Sequence, residues 1–136
     1  MSDDWGLESF QRRMQAIPKA ARRAVEPALV RSGEEIAALM RGMAPVDDGD
    51  LRRSIAVTGP LQSTPPYSQP GGSMVVPENA AAITVGNTEV RYAHLQEYGT
   101  TFHAPQPYFW PGFRFGRDRA LKRIKRAIGK AIREAR

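Results

Sequence analysis

Pro45-Val46-Asp47-Asp48-Gly49-Asp50-Leu51-Arg52-Arg53-Ser54-Ile55 divides this chain into a helical part and a sheet part. On its N-terminal side, apolar residues recur with helical period. Ala21, Ala24, Val25, Ala28, Leu29, Ile36, Leu39, Met40 and Met43 form one stripe, which predicts a long helix from Pro18 to Met43. Pro27 lies inside that pattern. It lacks an N–H and crowds the preceding turn, so a kink is expected there. Gly33 and Gly42 weaken the helix further. Ala44-Pro45 ends it, because a residue before proline is pushed to extended backbone. Asp47-Asp48-Gly49-Asp50 reads as a turn, since Asp bonds its own backbone and Gly accepts positive φ. Leu51 to Thr58 then carries the chain into a first strand, with Ile55 and Val57 on one face.

Upstream, Leu7, Phe10, Met14 and Ile17 predict a short amphipathic helix, which Pro18 ends or from which it opens the next one. Downstream, residues 59–79 hold five prolines, three glycines and three serines with no visible period. We read them as a long extended loop, an arm able to move, with Met74-Val75-Val76 as a brief strand inside it. Ala81 to Val85 alternates as a strand, and Gly86-Asn87 marks a turn. Val90 to Leu95 is expected to be the next antiparallel strand or a strand running into a short turn, closed by Glu97-Tyr98-Gly99-Thr100. Phe102 to Trp110 reads as extended and proline-punctuated. Ala120, Leu121, Ile124, Ala127, Ile128, Ala131, Ile132 and Ala135 predict a last helix over about Gly116 to Ala135. The fold class is α+β: a long N-terminal helix and a basic C-terminal helix packed on a small antiparallel sheet, in one domain over residues 1–136.

At 136 residues the chain suits one domain. It contains no cysteine, which excludes disulfides and thiolate metal sites. No apolar run reaches the roughly 20 residues that span a bilayer. Met1-Ser2-Asp3-Asp4-Trp5 lacks a signal-peptide core, so assembly in a cytoplasm is expected. The net charge of +6 is unevenly placed. Residues 114–136 carry ten cations against Asp118 and Glu134, leaving a mildly acidic body and a strongly basic end. Such asymmetry suggests a polyanion or an acidic protein surface as neighbour.

No constellation for chemistry stands out. His94, Glu97 and His103 lack the spacing of a metal site, and no H-E-x-x-H occurs. Asp47, Asp48 and Asp50 imitate a calcium loop poorly, since Gly49 comes too early and Thr58 stands where the bidentate Glu belongs. Ser54 has no nucleophile-elbow context. Gly71-Gly72 leads into no phosphate loop. Glu34-Glu35 lie on an ordinary helix. No catalytic residue, metal or cofactor is expected.

The basic end carries more weight. Arg117, Lys122, Arg123, Lys125, Arg126, Lys130 and Arg133 surround the apolar face of the last helix. They fit phosphate contact with nucleic acid, docking on an acidic protein, or a solvated helix face. A membrane-surface helix is a minor option, because the apolar face is alanine-rich. Tyr108, Phe109, Trp110, Phe113 and Phe115 are expected to form a corner that pins this helix to the sheet.

Three motifs in order complete the reading: the Pro45–Ile55 stretch, Tyr92-Ala93-His94-Leu95-Gln96-Glu97-Tyr98-Gly99-Thr100, and Ala104-Pro105-Gln106-Pro107-Tyr108-Phe109-Trp110-Pro111. With the long helix before them and the basic helix after, they resemble the tail-completion (head–tail joining) proteins of long-tailed phages. Asp48, Tyr108 and Gly112 depart mildly from that pattern, standing where Thr, Phe and Ala are commoner. The resemblance implies a structural virion protein of the neck without catalysis. It would form a ring, a hexamer being expected, between the DNA-filled head connector or stopper and the tail terminator or tail tube. Contact with packaged DNA is allowed and no membrane is involved. Pro45, Asp47, Gly49, Leu51, Ser54, Tyr92, Glu97, Gly99, Thr100, Pro107 and Pro111 would then shape turns and joints. Pro65, Pro66, Tyr67, Met74, Val75, Tyr98 and Trp110 are candidates for contacts with partners or copies. The alternative is a small basic nucleic-acid-binding protein that uses its C-terminal helix.

Overall fold

The computed structural model describes residues 8, 9, 12, 18–44, 50–70, 72–88 and 107–134. The expectations for residues 45–49, for the strand at 90–95 and for the Tyr92–Thr100 motif lie outside them.

The expected long helix is two helices, α1 (Lys19–Arg23) and α2 (Glu26–Met43). Pro27 does not kink α2; it sits in its first turn, where no N–H is needed. Its ring is incompatible with a helical carbonyl four residues earlier, at Arg23, and α1 ends there. Ala24 N–H to Ala21 O (3.1 Å) and Val25 N–H to Arg22 O (3.1 Å) tighten the break. Pro18 is the N-cap of α1, in extended backbone. At the other end Ala44 is extended, as its place before Pro45 requires.

Leu51 was expected in a strand. It lies instead in a single helical turn, α3 (Asp50–Arg53), with its side chain buried. The strand β1 is shorter than expected, Ala56–Thr58, and pairs antiparallel with β2 (Ala82–Thr84) in the register Ala56↔Thr84, Val57↔Ile83, Thr58↔Ala82. The reason is local. Ser54 Oγ–H donates to Leu51 O at 2.6 Å and its oxygen accepts Gly86 N–H at 3.0 Å. One buried hydroxyl thereby closes the helical turn and ties it to the end of the sheet.

Residues 59–79 fold back on themselves. Thr64 N–H to Met74 O and Val76 N–H to Gln62 O, each 2.8 Å, bracket a Ser63↔Val75 pair. A Gln69↔Val85 bridge extends the pairing beyond β2. The segment is thus a hairpin joined to the sheet, and the brief strand expected at Met74-Val75-Val76 is one arm of it.

The last helix, α4 (Phe109–Glu134), begins seven residues before its expected start. The extended reading of Phe109 and Trp110 is therefore corrected. Pro111 falls in the first turn, where proline is tolerated, and Gly112 N–H bonds Tyr108 O at 3.1 Å. The aromatic corner is thus the opening of α4 itself, formed by Tyr108, Phe109, Trp110 and Phe113; Phe115, expected in it, is 74% exposed. Tyr108 is fully buried beside Phe109 in the main core, with Ile36, Met40, Leu51, Ile55 and Val85. A smaller core joins Ala21 of α1 and Val25 and Leu29 beside it to Ala131 of α4.

α2 is the centre, with α4 on one side and the sheet on another. Gly112, Gly116 and Ala120, four apart on α4, are all buried. A Cβ on Gly112 would lie 2.6 Å from Met40 Cγ and 3.0 Å from Met40 Cα; one on Gly116 would lie 2.7 Å from Ile36 Cγ1. The two helices approach more closely than side chains there would permit. Gly116→Ala is therefore expected to destabilise the fold by about 1–3 kcal/mol through overpacking. Gly42→Ala, on exposed α2 surface with nothing within 4 Å of the new Cβ, is expected to stabilise it by about 0.5–1 kcal/mol. Ser54→Ala should cost about 1–3 kcal/mol by orphaning the Gly86 N–H. Urea unfolding of the three variants checks all three signs.

Candidate functional site

The Ser54 hydroxyl is committed on both sides, donating to Leu51 O and accepting from Gly86 N–H, so it is built as a joint rather than as a nucleophile. Arg41 Nη2 reinforces the same joint by donating to Ile55 O at 2.7 Å. Pro107 is exposed and Pro111 half-buried in α4. Pro45, Asp47, Gly49, Tyr92, Glu97, Gly99 and Thr100, with His94 and His103, lie outside the described residues. Among the described residues, no three His, Cys, Asp or Glu side chains gather as a metal site, and no helix is long and apolar enough to cross a membrane.

The candidates for partner contact separate into two kinds. Pro66, Tyr67, Met74 and Val75 are exposed on the hairpin, and Pro65 is half-buried at its base. Trp110 is half-buried and engaged within its own chain. Its ring meets Phe109 edge-on at 5.1 Å and Phe113 at 6.3 Å, a geometry that favours packing over presentation. Tyr98 lies outside the described residues.

The cations on α4 also divide. Arg123 is held by its own fold: Nη2 reaches Glu35 Oε1 at 2.5 Å and Nη1 reaches Ser32 Oγ at 3.5 Å. Arg119 Nε stands 3.8 Å from Glu35 Oε2. Arg117 lies 3.7 Å from Asp118, and Lys130 lies 4.0 Å from Glu134. Lys122, Lys125, Arg126 and Arg133 are exposed, with no ion pair among the described residues. They make one solvent-facing cationic surface. Toward the end of α4, Arg31, Arg123 and Lys130 also line a shallow groove of about 370 Å³ with Ala24, Pro27, Ala28, Ala127, Ala131 and Glu134.

Sequence reasoning did not find Glu35 as the partner of Arg123 and Arg119, nor the glycine seat of α4. The glycine signal was present: Gly112 and Gly116 are four apart. Only the partner helix shows that the spacing is used. Glu35 could not be found from spacing, because its partners lie 84 and 88 positions away.

The hydrogen bond from Arg123 lowers the Glu35 pKa below its ordinary 4.5. Partial burial opposes that shift, and the charges of Arg123, Arg119 and Arg31 add to it. The side chains are 16% and 37% exposed, so solvent screens the pair. A carboxylate whose folded pKa is depressed stabilises fully above its unfolded value, and that contribution fades as pH falls through the folded value. Melting temperature should therefore drop as pH falls below about 4.5, and Glu35→Gln should flatten that part of the profile. An unchanged acid limb in the variant would show that the pair does not couple α2 to α4.

Comparison with known proteins adds one match. The profile of the family described as "Bacteriophage HK97-gp10, putative tail-component" covers residues 8–99, more than half of the chain. It spans α1 through β2, the first motif and the second as far as Gly99, and it ends before the aromatic corner and α4. No curated protein and no solved structure matches the chain. With its helix-to-sheet joint and helical frame, this chain belongs to the HK97-gp10-like family of bacteriophage tail components.

Proposed function

We propose that this chain is a non-catalytic joining subunit of the phage neck. Copies close into a ring, with six expected, between the connector or stopper of the DNA-filled head and the tail terminator or tail tube. The family match over residues 8–99 carries the reading. Two features support it. Ser54 spends its buried hydroxyl on tying helix to sheet, as a structural joint does. The molecule also presents chemically different faces, a cationic helix and an uncharged hairpin, as a part that touches unlike neighbours must.

The Ser54 joint, the seat of α4 and the Glu35–Arg123 tie fix α2, α4 and the sheet to one another, as a subunit repeated around an axis requires. In this reading the cations of α4 meet an acidic neighbour or the DNA that passes through the neck. Cryo-electron microscopy of assembled particles tests the assignment. A closed ring of this chain between connector and tail is the expected result; its absence from intact particles would sink the neck role.

A second reading is nucleic-acid binding by α4 in its own right, favoured by the four exposed cations Lys122, Lys125, Arg126 and Arg133. It predicts salt-dependent, sequence-blind binding to duplex DNA. The slope of log K against log salt should fall by about 0.9 for each phosphate-contacting cation replaced by Gln. Fluorescence anisotropy across a salt series measures it, and no binding at low salt removes this reading.

A further inference from the structure

The chain is a quarter charged, yet residues 54–77 contain no Asp, Glu, Lys or Arg. That run includes the paired arms of the hairpin; Glu78 follows them and stands 3.6 Å from Arg22. The pairing of the arms fixes which way each side chain faces. The bonds from Thr64 N–H to Met74 O and from Val76 N–H to Gln62 O leave Ser63 and Val75 opposite each other. Thr64 and Val76 are buried on the inner side. By the two-residue period of extended chain, Ser63 and Val75 occupy the outer side. Val75 is 61% exposed there, with Leu61 at 67% and Tyr67 at 55% nearby; Met74, 47% exposed, falls opposite Thr64 instead. A hairpin with one solvated side ordinarily turns polar residues outward; this one turns out Leu61, Tyr67 and Val75 beside the polar Gln62 and Ser63.

The display is held in place. Thr64 Oγ1 accepts the Met74 N–H at 2.8 Å, and Leu61 N–H bonds Val76 O at 2.9 Å. Leu61 and Tyr67 both have left-handed backbone, with φ of 63° and 61°. Bulky residues avoid that region, and here the surrounding hydrogen bonds keep two of them in it.

We propose that the outer side of this hairpin is the contact by which one copy of the chain meets a second copy. The inference rests on the reading of the chain as a self-packing subunit and names its surface. Charge selects the occupant. The net charge is +6 and the end from residue 114 is strongly basic, so copies that approach through α4 repel each other. The uncharged hairpin is where like-charged copies meet at least Coulomb cost. Charge depletion with an aromatic residue, here Tyr67, is also the composition of interface centres. A polyanion finds no cation here.

Sedimentation velocity of the full chain across a concentration series tests the contact. Wild type should show concentration-dependent self-association. Leu61→Asn with Tyr67→Asn removes both apolar side chains while keeping a residue type that tolerates left-handed backbone. This variant should weaken self-association by at least about tenfold, with a cooperative melting transition showing that it is still folded. Val75→Lys should act in the same direction by burying an unpaired charge in the contact. Wild type that stays monomeric throughout, or variants that associate as wild type does, would overturn the contact. The neck role is decided separately by the imaging of particles. A chain missing from particles that still associates through Leu61 and Tyr67 would lose that role and keep this contact.

Discussion

The near-contact of α2 and α4 is the constraint on which the rest of the structure depends. Gly112 and Gly116 let the backbone of α4 settle against Met40 and Ile36. Close packing of this kind removes apolar surface from water and fills the space with dispersion contacts, leaving no room for adjustment. Because α4 enters this seat through Tyr108 and Phe109, the aromatic opening of the helix is buried at the same time. The remaining length of α4 is then aimed along α2, which brings Arg123 to Glu35 and Ala131 to the smaller core. A similar device appears on the other side of α2. A Cβ at Gly33 would stand 2.9 Å from Val57 Cγ1, so β1 also lies close over the helix.

The joint between helix and sheet depends on a smaller set of forces. A two-stranded sheet is marginal in water on its own. Here it is held by Ser54, by the Arg41 bond to Ile55 O and by apolar packing of Val57 and Ile83 on the core. The hairpin adds to it through the Gln69↔Val85 bridge. The sheet is therefore a dependent of α2 rather than an independent layer. The family profile covers this helical and sheet frame, and α4 lies beyond its matched residues.

Surface chemistry follows from the same frame. α4 places one side in the core, which forces its numerous cations toward water. Arg123 is the exception that is drawn inward and neutralised by Glu35. The hairpin places Thr64 and Val76 inward and so turns Leu61 and Val75 outward. A cationic helix and an apolar hairpin face result.

Much of the frame was legible along the chain. Helical periodicity showed α2 and the body of α4, alternation showed β2, and Ala44-Pro45 located the end of α2, because these are local effects of backbone sterics and side-chain period. The charge asymmetry could also be read directly. The break before Pro27 and the start of α4 at Phe109 were misread, since each depends on which first-turn position a proline occupies. The hairpin within residues 59–79 was hidden for another reason: its pairing joins residues up to sixteen apart, such as Gln69 and Val85, with no alternation to announce it. For the candidate surfaces, sequence determined which residues are charged or apolar. Only tertiary structure decided that Arg123 is spent on Glu35, that Trp110 packs inside its own aromatic cluster, and that Leu61, Tyr67 and Val75 face water. Those outcomes depend on partners distant in the chain, and distance in space is set by packing rather than by order along the chain.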